Sequence, residues 1–286
     1  MTVLRSIAAA FSFLTRLPVP ARAIGEGDVA ARALGQSVIW FPLAGALIGG
    51  AQVAAAWLMG GHLPPGLIAV AVVALSAALT GGLHLDGLAD TFDGWAGGRG
   101  DRARTLEIMR DSRIGAHGAA ALTLLLASKV IAVFYLLPQT DPLAHGELLP
   151  RLNRLAHGDA FERGALWPLL AAPLLARWAV VPLIIFFRYA RAEGLGSPFQ
   201  AHARPAYLAG TTLLVLGAAV AISAAAPPFG DTATAIGIAA ASALAVALAL
   251  AGLLDRRLGG LTGDVYGAAI ELTELAVLIS ATVTLR

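Results

Sequence analysis

The stretch that decides the reading is Gly66-Leu67-Ile68-Ala69-Val70-Ala71-Val72-Val73-Ala74-Leu75-Ser76-Ala77-Ala78-Leu79-Thr80-Gly81-Gly82-Leu83-His84-Leu85-Asp86-Gly87-Leu88-Ala89-Asp90-Thr91-Phe92-Asp93-Gly94. Its first part, up to residue 84, carries no Asp, Glu, Lys or Arg and is about as long as a bilayer-crossing helix of roughly 20 residues. Its second part places Asp86, Asp90 and Asp93 at i, i+4 and i+7, which share one face of a helix. Three carboxylates on one face repel each other unless a cation lies between them or water solvates them. Hard oxygen ligands select Mg²⁺ or Mn²⁺ over zinc, and Mg²⁺ is commonly held by one or two carboxylates together with substrate phosphates. An apolar run that ends in such a cluster reads as a membrane span opening onto a metal–phosphate site. A solvated, capped helix face is the plainer alternative.

Working outward, six further runs have the same character: about 36–59, 114–137, 165–187, 207–226, 232–254 and 265–284. The last also carries Glu271 and Glu274. The composition agrees, with 58% hydrophobic and only 13% charged residues, where a soluble domain has about 25% charged. The fold expected is an all-α polytopic transmembrane helical bundle, about seven spans plus an N-terminal interfacial helix, forming a single integral membrane domain over 1–286. The interfacial helix would set Ile7, Phe11 and Leu14 on one face, with Arg5 and Arg16 near its ends. The same segment loosely imitates a signal peptide, but Arg16, Pro18 and Pro20 interrupt that pattern.

Orientation follows from the basic residues. With the N-terminus inside, fourteen of the twenty Lys and Arg fall on the cytoplasmic side, in the N-terminal segment and in the second, fourth and sixth loops. Arg151, Arg154, Arg163 and Arg286 fall outside, and Lys129 and Arg177 lie within spans. The expected location is therefore the cell inner membrane, multi-pass, N-terminus cytoplasmic and C-terminus outside, for an odd number of spans. Residues 85–113 become a cytoplasmic acidic and basic loop, and 138–164 an outer loop with no chemical signal. There is no cysteine, which excludes disulfides and thiolate chemistry. No basic run, Walker loop, dinucleotide fingerprint or nucleophile–base triad occurs, so no nucleic-acid partner is expected.

Downstream of the aspartates, Arg99, Arg102 and Arg104 precede Arg110-Asp111-Ser112-Arg113-Ile114-Gly115-Ala116-His117-Gly118. Arginine forks match phosphate oxygens; a positive-inside flank accounts for some of these arginines equally well. A second acidic segment, Gly259-Gly260-Leu261-Thr262-Gly263-Asp264-Val265-Tyr266-Gly267, sets Asp264 on the same side as Asp86, with Glu271 and Glu274 inside the membrane. Intramembrane carboxylates are functional candidates, or else ion partners of Lys129 or Arg177. For Arg188, Arg191 and Glu193, before Gly194-Leu195-Gly196, a phosphate site and a loop anchor both remain open. His84 reads either as an acid–base group or as an interfacial histidine bonded to backbone.

Five of these blocks, in order, resemble one family: Phe13-Leu14-Thr15-Arg16-Leu17-Pro18-Val19-Pro20, Gly82 to Gly94, Leu106 to Gly118, Tyr189 to Gly196, and Gly260 to Leu272. The chain is similar across nearly its whole length to cobalamin synthases, the adenosylcobinamide-GDP ribazoletransferase family. The resemblance implies transfer of phosphocobinamide from adenosylcobinamide-GDP to α-ribazole or α-ribazole 5′-phosphate, with loss of GMP, in a Mg²⁺-dependent enzyme in the lipid bilayer. It makes Asp86, Asp90, Asp93 and Asp264 the expected metal ligands. Asp86, Asp90, Asp93 and His84 are the expected catalytic groups, and Arg110, Arg113, His117, Arg191 and Glu271 the expected substrate or phosphate contacts. Other enzymes of late corrinoid synthesis are expected partners. Two alternatives stand beside it. Gly82, Asp86 and Asp90 fit the Gly-x3-Asp-x3-Asp half of the CDP-alcohol phosphotransferase signature, but its upstream Asp-Gly half is missing. A transporter would use Lys129, Arg177, Glu271 and Glu274 as a path, yet the chain shows no inverted repeat.

Overall fold

The computed structural model describes residues 2–60, 62–137, 166–191, 194, 196–226 and 228–285. The outer loop 138–164, Glu193, Arg151, Arg154, Arg163 and Arg286 therefore lie outside the described residues. Among the described residues, six helical segments are long and apolar enough to cross a bilayer: Gly27–Met59, Ala116–Leu136, Trp167–Phe186, Pro205–Ala225, Gly230–Leu258 and Gly263–Thr284. The protein is a multi-pass helical membrane bundle, and among the described residues no β-strand occurs.

The element order begins with α1 (Thr2–Leu14), α2 (Ala21–Ile24), α3 (Gly27–Ser37) and, after a 3₁₀ turn, α4 (Phe41–Met59). Next come α5 (Pro65–Thr80), α6 (Leu83–Gly97), α7 (Arg102–Ile108) and α8 (Ala116–Leu136). The rest are α9 (Trp167–Ala179), α10 (Val181–Phe186), α11 (Ser197–His202), α12 (Pro205–Ala225), α13 (Phe229–Leu258) and α14 (Gly263–Thr284).

The run expected to span over 66–84 is the one that differs. Helix α5 stops at Thr80, because Gly81 and Gly82 both take the left-handed conformation (φ 64° and 73°) that glycine reaches without a Cβ penalty. The chain then turns by 90° into α6, and α5 qualifies as a span only as part of this bent pair. Alone, its 16 residues rise about 24 Å, less than the hydrocarbon thickness of about 30 Å. The aspartates thus sit on a separate helix laid across the bundle, outside the six spans, and not on the end of a straight one.

Lipid-facing and core-facing helices separate clearly. Leu124, Ile131, Leu213, Leu216, Val220 and Val283 are exposed, as side chains against acyl chains would be. Helix α9 is the opposite case: Trp167, Leu169, Leu174, Leu175 and Arg177 are all buried. It approaches α4 at Gly45-x-x-x-Gly49, the small-residue spacing that lets helix backbones touch. A Cβ on Gly49 would lie 2.7 Å from the Leu170 backbone, whereas one on Gly50 would meet nothing within 4 Å. Gly49→Ala is expected to destabilise the detergent-purified protein by ~1–3 kcal/mol through overpacking. Gly50→Ala is expected to be neutral or to stabilise by up to about 1 kcal/mol through helix propensity. Thermal unfolding of both variants decides the point.

Helix α1 buries Ser6, Ala9, Ala10 and Leu14. Trp40 donates its indole N–H to Ser6 Oγ at 3.0 Å, tying α1 to the start of α4. Of the face expected for it, Leu14 is buried, but Ile7 and Phe11 are only half-buried. The small residues one position away allow the closer approach and take the inner place.

Candidate functional site

Three connections predicted to share one side of the membrane meet at one end of the bundle. Arg102, at the start of α7, donates from Nε to the Leu258 carbonyl at 2.6 Å and from Nη2 to the Ala190 carbonyl at 3.0 Å. Leu258 closes α13, so its carbonyl is one of the acceptors a helix end leaves without an internal partner, and a cation there also suits the helix dipole. The backbone completes the junction: Ala190 N–H donates to Leu261 O at 2.8 Å, and Leu261 N–H to Arg188 O at 2.7 Å. The sequence offered Arg102 as a phosphate contact or as part of a positive-inside flank; its guanidinium instead binds backbone carbonyls. Its role depends on two carbonyls 88 and 156 residues away, which no local pattern signals.

This junction sets Arg191 beside Asp264. Arg191 Nη2 lies 2.9 Å from Asp264 Oδ2, and both side chains are largely buried. Asp264 sits in the first turn of α14, where the helix dipole favours a negative charge. Thr262 caps that helix through Val265 N–H and donates its hydroxyl to Asp264 Oδ2 at 3.2 Å. Helix α6 lies tightly against α14: a Cβ on Gly87 would come within 2.7 Å of the Asp264 carbonyl, and one on Gly267 within 3.2 Å of the His84 backbone. These two glycines bring the α6 carboxylates up to Asp264.

The electrostatics carry the same message. Burial, and then the charges of Asp86 and Asp264, push the Asp90 carboxyl up to about 7, with Arg191 opposing and Asp93 adding a smaller push. The folded chain therefore crowds more negative charge here than a single arginine offsets. Among the described residues, no three acidic or histidine side chains converge into a ready cage for a metal ion. The donors are nonetheless all carboxylate oxygens, the type Mg²⁺ accepts, and a partial protein set suits an ion that completes its shell with substrate phosphate.

The other predicted site residues go elsewhere. Asp93 was expected among the metal ligands, but Gly115 N–H donates to its Oδ2 at 2.7 Å and Gly118 N–H to its Oδ1 at 2.9 Å. It caps the N-terminus of α8 from a distance, a use its carboxylate geometry fits well. Glu271 was expected near substrate and instead lies within the bundle. Lys129 Nζ is 2.6 Å from Glu271 Oε2 and 2.6 Å from Glu274 Oε2, and Arg177 Nη1 binds Glu274 Oε1. All four are buried. The ion-partner alternative is therefore the one found. Arg110, Arg113 and His117 are solvent-exposed. Arg113 folds back onto Asp111 at 2.6 Å, and its hydrogen bonds hold the exposed Asp111 carboxyl down at about 2.

His84 is buried with its Nδ1 3.3 Å from Arg177 Nη2. A guanidinium only donates, so Nδ1 is the acceptor and the neutral ring carries its proton on Nε2. That arrangement presents a hydrogen-bond donor at Nε2, not a base.

Comparison with known proteins bears on the same residues. The family description Cobalamin-5-phosphate synthase matches residues 6–282. A relative from Roseiflexus sp. (strain RS-1) is 39% identical over 282 residues, covering 97% of this chain and 89% of its own. One from Pseudomonas aeruginosa (strain UCBPP-PA14) is 40% identical over 277 residues, covering 97% of each. One from Klebsiella pneumoniae (strain 342) is 38% identical over 279 residues, covering 97% and 99%. All three are named adenosylcobinamide-GDP ribazoletransferase. No solved structure matches. These matches decide against the CDP-alcohol phosphotransferase and transporter alternatives. With the match covering almost the whole chain and all five motif blocks, this membrane protein is a transferase that belongs to the cobalamin-5-phosphate synthase family.

Proposed function

We propose that the chain transfers phosphocobinamide from adenosylcobinamide-GDP to a hydroxyl of α-ribazole or its 5′-phosphate, at the cytoplasmic face of the inner membrane. The observation that carries this reading is the meeting of Asp86, Asp90, Asp264 and Arg191 where α6 crosses the start of α14. Phosphoryl transfer needs little covalent chemistry from a protein; it needs positioning and charge stabilisation. In the step proposed, the acceptor hydroxyl oxygen forms a bond to the phosphorus that carries cobinamide. The bond from that phosphorus to the bridging oxygen breaks, and GMP leaves with that oxygen. The hydroxyl proton passes to one of the carboxylates.

Asp86, Asp90 and Asp264 would hold Mg²⁺, and Arg191 would turn from Asp264 to a phosphate oxygen. When bound, Mg²⁺ supplies charge neutralisation on the pyrophosphate and the departing phosphate. The cytoplasmic, N-in orientation rests on the asymmetry of the basic residues, and association with other enzymes of late corrinoid synthesis on the family resemblance.

The test is turnover by the purified protein in liposomes with adenosylcobinamide-GDP, α-ribazole and Mg²⁺, following GMP and the corrinoid product. The result expected is stoichiometric GMP and product that both stop with chelator and return with added Mg²⁺. Turnover undiminished by chelator would remove the metal from the proposal, and no turnover by folded protein would remove the reaction.

A further inference from the structure

Beside the carboxylates lies a cavity of ≈ 130 Å³ whose apolar part the phosphate chemistry does not use. Its polar end is formed by Asp86, Asp264 and Arg191. The rest is apolar, with Phe13, Phe41, Phe199 and Ile184 among its walls. Three of these form an aromatic cluster: the Phe13 and Phe199 ring centroids are 4.6 Å apart, and those of Phe41 and Phe199 5.6 Å. Three polar side chains interrupt this lining: Tyr189, whose hydroxyl accepts from Gly196 N–H at 3.2 Å, and His84 and Tyr266, only 2% and 7% exposed. Among the described residues, neither His84 Nε2 nor the Tyr266 hydroxyl has a hydrogen-bond partner. A buried polar group left without a partner is costly, so a pair lining one cavity points to an occupant that satisfies them.

The chemistry of that occupant can be read from the lining. Aromatic and aliphatic walls suit a flat apolar ring. Because Arg177 holds the proton of His84 on Nε2, the ring there offers a donor and needs an acceptor in the same plane as the apolar body. A fused azole with one free imine nitrogen and no exocyclic polar groups meets both demands. Guanine does not, because its amide and amino groups would lie against phenylalanine with too few partners.

We propose that this cavity holds the benzimidazole base of the acceptor nucleoside, with His84 Nε2–H donating to the free imine nitrogen, Tyr266 beside it and the Phe13–Phe199–Phe41 cluster along the ring. The ribose then extends toward Asp86 and Asp264, which sets its hydroxyl at the phosphate site. This deepens the reading above and rests on it for the identity of the acceptor. It also makes His84 a binding residue whose ring is held in place by Arg177.

Direct binding separates the two. The whole wild-type protein in detergent is titrated with free 5,6-dimethylbenzimidazole, and separately with guanosine, by calorimetry. Saturable binding of the benzimidazole and not of guanosine is expected. Tyr266→Phe and Phe199→Leu, which preserve shape and much of the volume, should each weaken it several-fold to about tenfold. In turnover, the same variants should raise KM for α-ribazole by a similar factor and leave KM for adenosylcobinamide-GDP within about twofold. Absence of benzimidazole binding, binding unchanged in both variants, or preferred binding of guanosine would overturn the assignment. Specific, variant-sensitive binding by a protein that shows no transfer would uphold the pocket and overturn the proposed reaction instead.

Discussion

Asp86→Asn and Asp90→Asn are each expected to lower turnover by about 10³-fold while leaving the purified protein as heat-stable as the parent. The magnitude follows from the several kcal/mol of charge stabilisation a bound metal supplies, at a factor of ten per 1.36 kcal/mol. The unchanged stability follows from the crowding on α6. A carboxyl whose folded pKa is raised destabilises the fold as pH climbs from the ordinary carboxylate range, and for Asp90 that loss is complete above about 7. Asparagine removes the charge and with it the loss. In chelator at pH 8, Asp90→Asn should therefore melt no lower than the parent, and below about pH 4 the two should converge.

Asp93→Asn gives the contrasting case. One amide oxygen cannot accept from both Gly115 and Gly118 as the carboxylate does. A loss of about 1–3 kcal/mol in stability is expected, with activity falling only as far as the folded fraction falls. Melting curves and turnover measured side by side on the three variants separate the roles. Full activity in Asp86→Asn or Asp90→Asn would sink the proposed metal site. A stable but inactive Asp93→Asn would return that residue to it.

Lys129→Met is expected to be the most destructive substitution for the fold, at about 3–5 kcal/mol, the cost of leaving a buried charge uncompensated. Lys129 and Arg177 face Glu271 and Glu274, two charges of each sign with all four side chains buried. Methionine keeps the length of the lysine stem but leaves two carboxylates to one guanidinium. The double variant Lys129→Met, Glu271→Gln removes one charge of each sign and should recover much of the loss. Thermal unfolding of both single variants and the double measures the coupling as a mutant cycle. Additive losses would mean that the lysine and the glutamate act independently, against the arrangement described.

The fate of these residues shows what kind of information each level holds. Clustered carboxylates near a membrane were legible as special from spacing alone, because i, i+4 and i+7 always share a helix face. What each of them binds was not legible. Asp93 shares that face, yet both its oxygens bind the N-terminus of a helix more than twenty residues onward. Glu271 and Glu274 were legible as functional or ion-paired; choosing between those readings needed Lys129 on α8 and Arg177 on α9 in the same place. The tie that Arg102 makes to two distant carbonyls, and the cavity, were not legible at all. A cavity lined by α1, α4, α6, α10, α11 and α14 has no signature in any one segment.

By itself the sequence determined that this is a helical membrane protein, where most of its spans lie, and to which family it belongs. Hydrophobic run length and composition are local properties, and a bilayer requires backbone hydrogen bonds to close within each segment, so helix is the only local solution for apolar runs of this kind. The tertiary structure alone decided that the acidic run leaves the line of its span. Two left-handed glycines stop α5 at Thr80, and the packing of Gly87 and Gly267 holds α6 across the bundle. It also decided which charges stay buried as partners and which gather at one end of the bundle. Each charge's role depends on what stands opposite it, and the opposite residue lies on another helix, at a sequence distance no periodicity encodes.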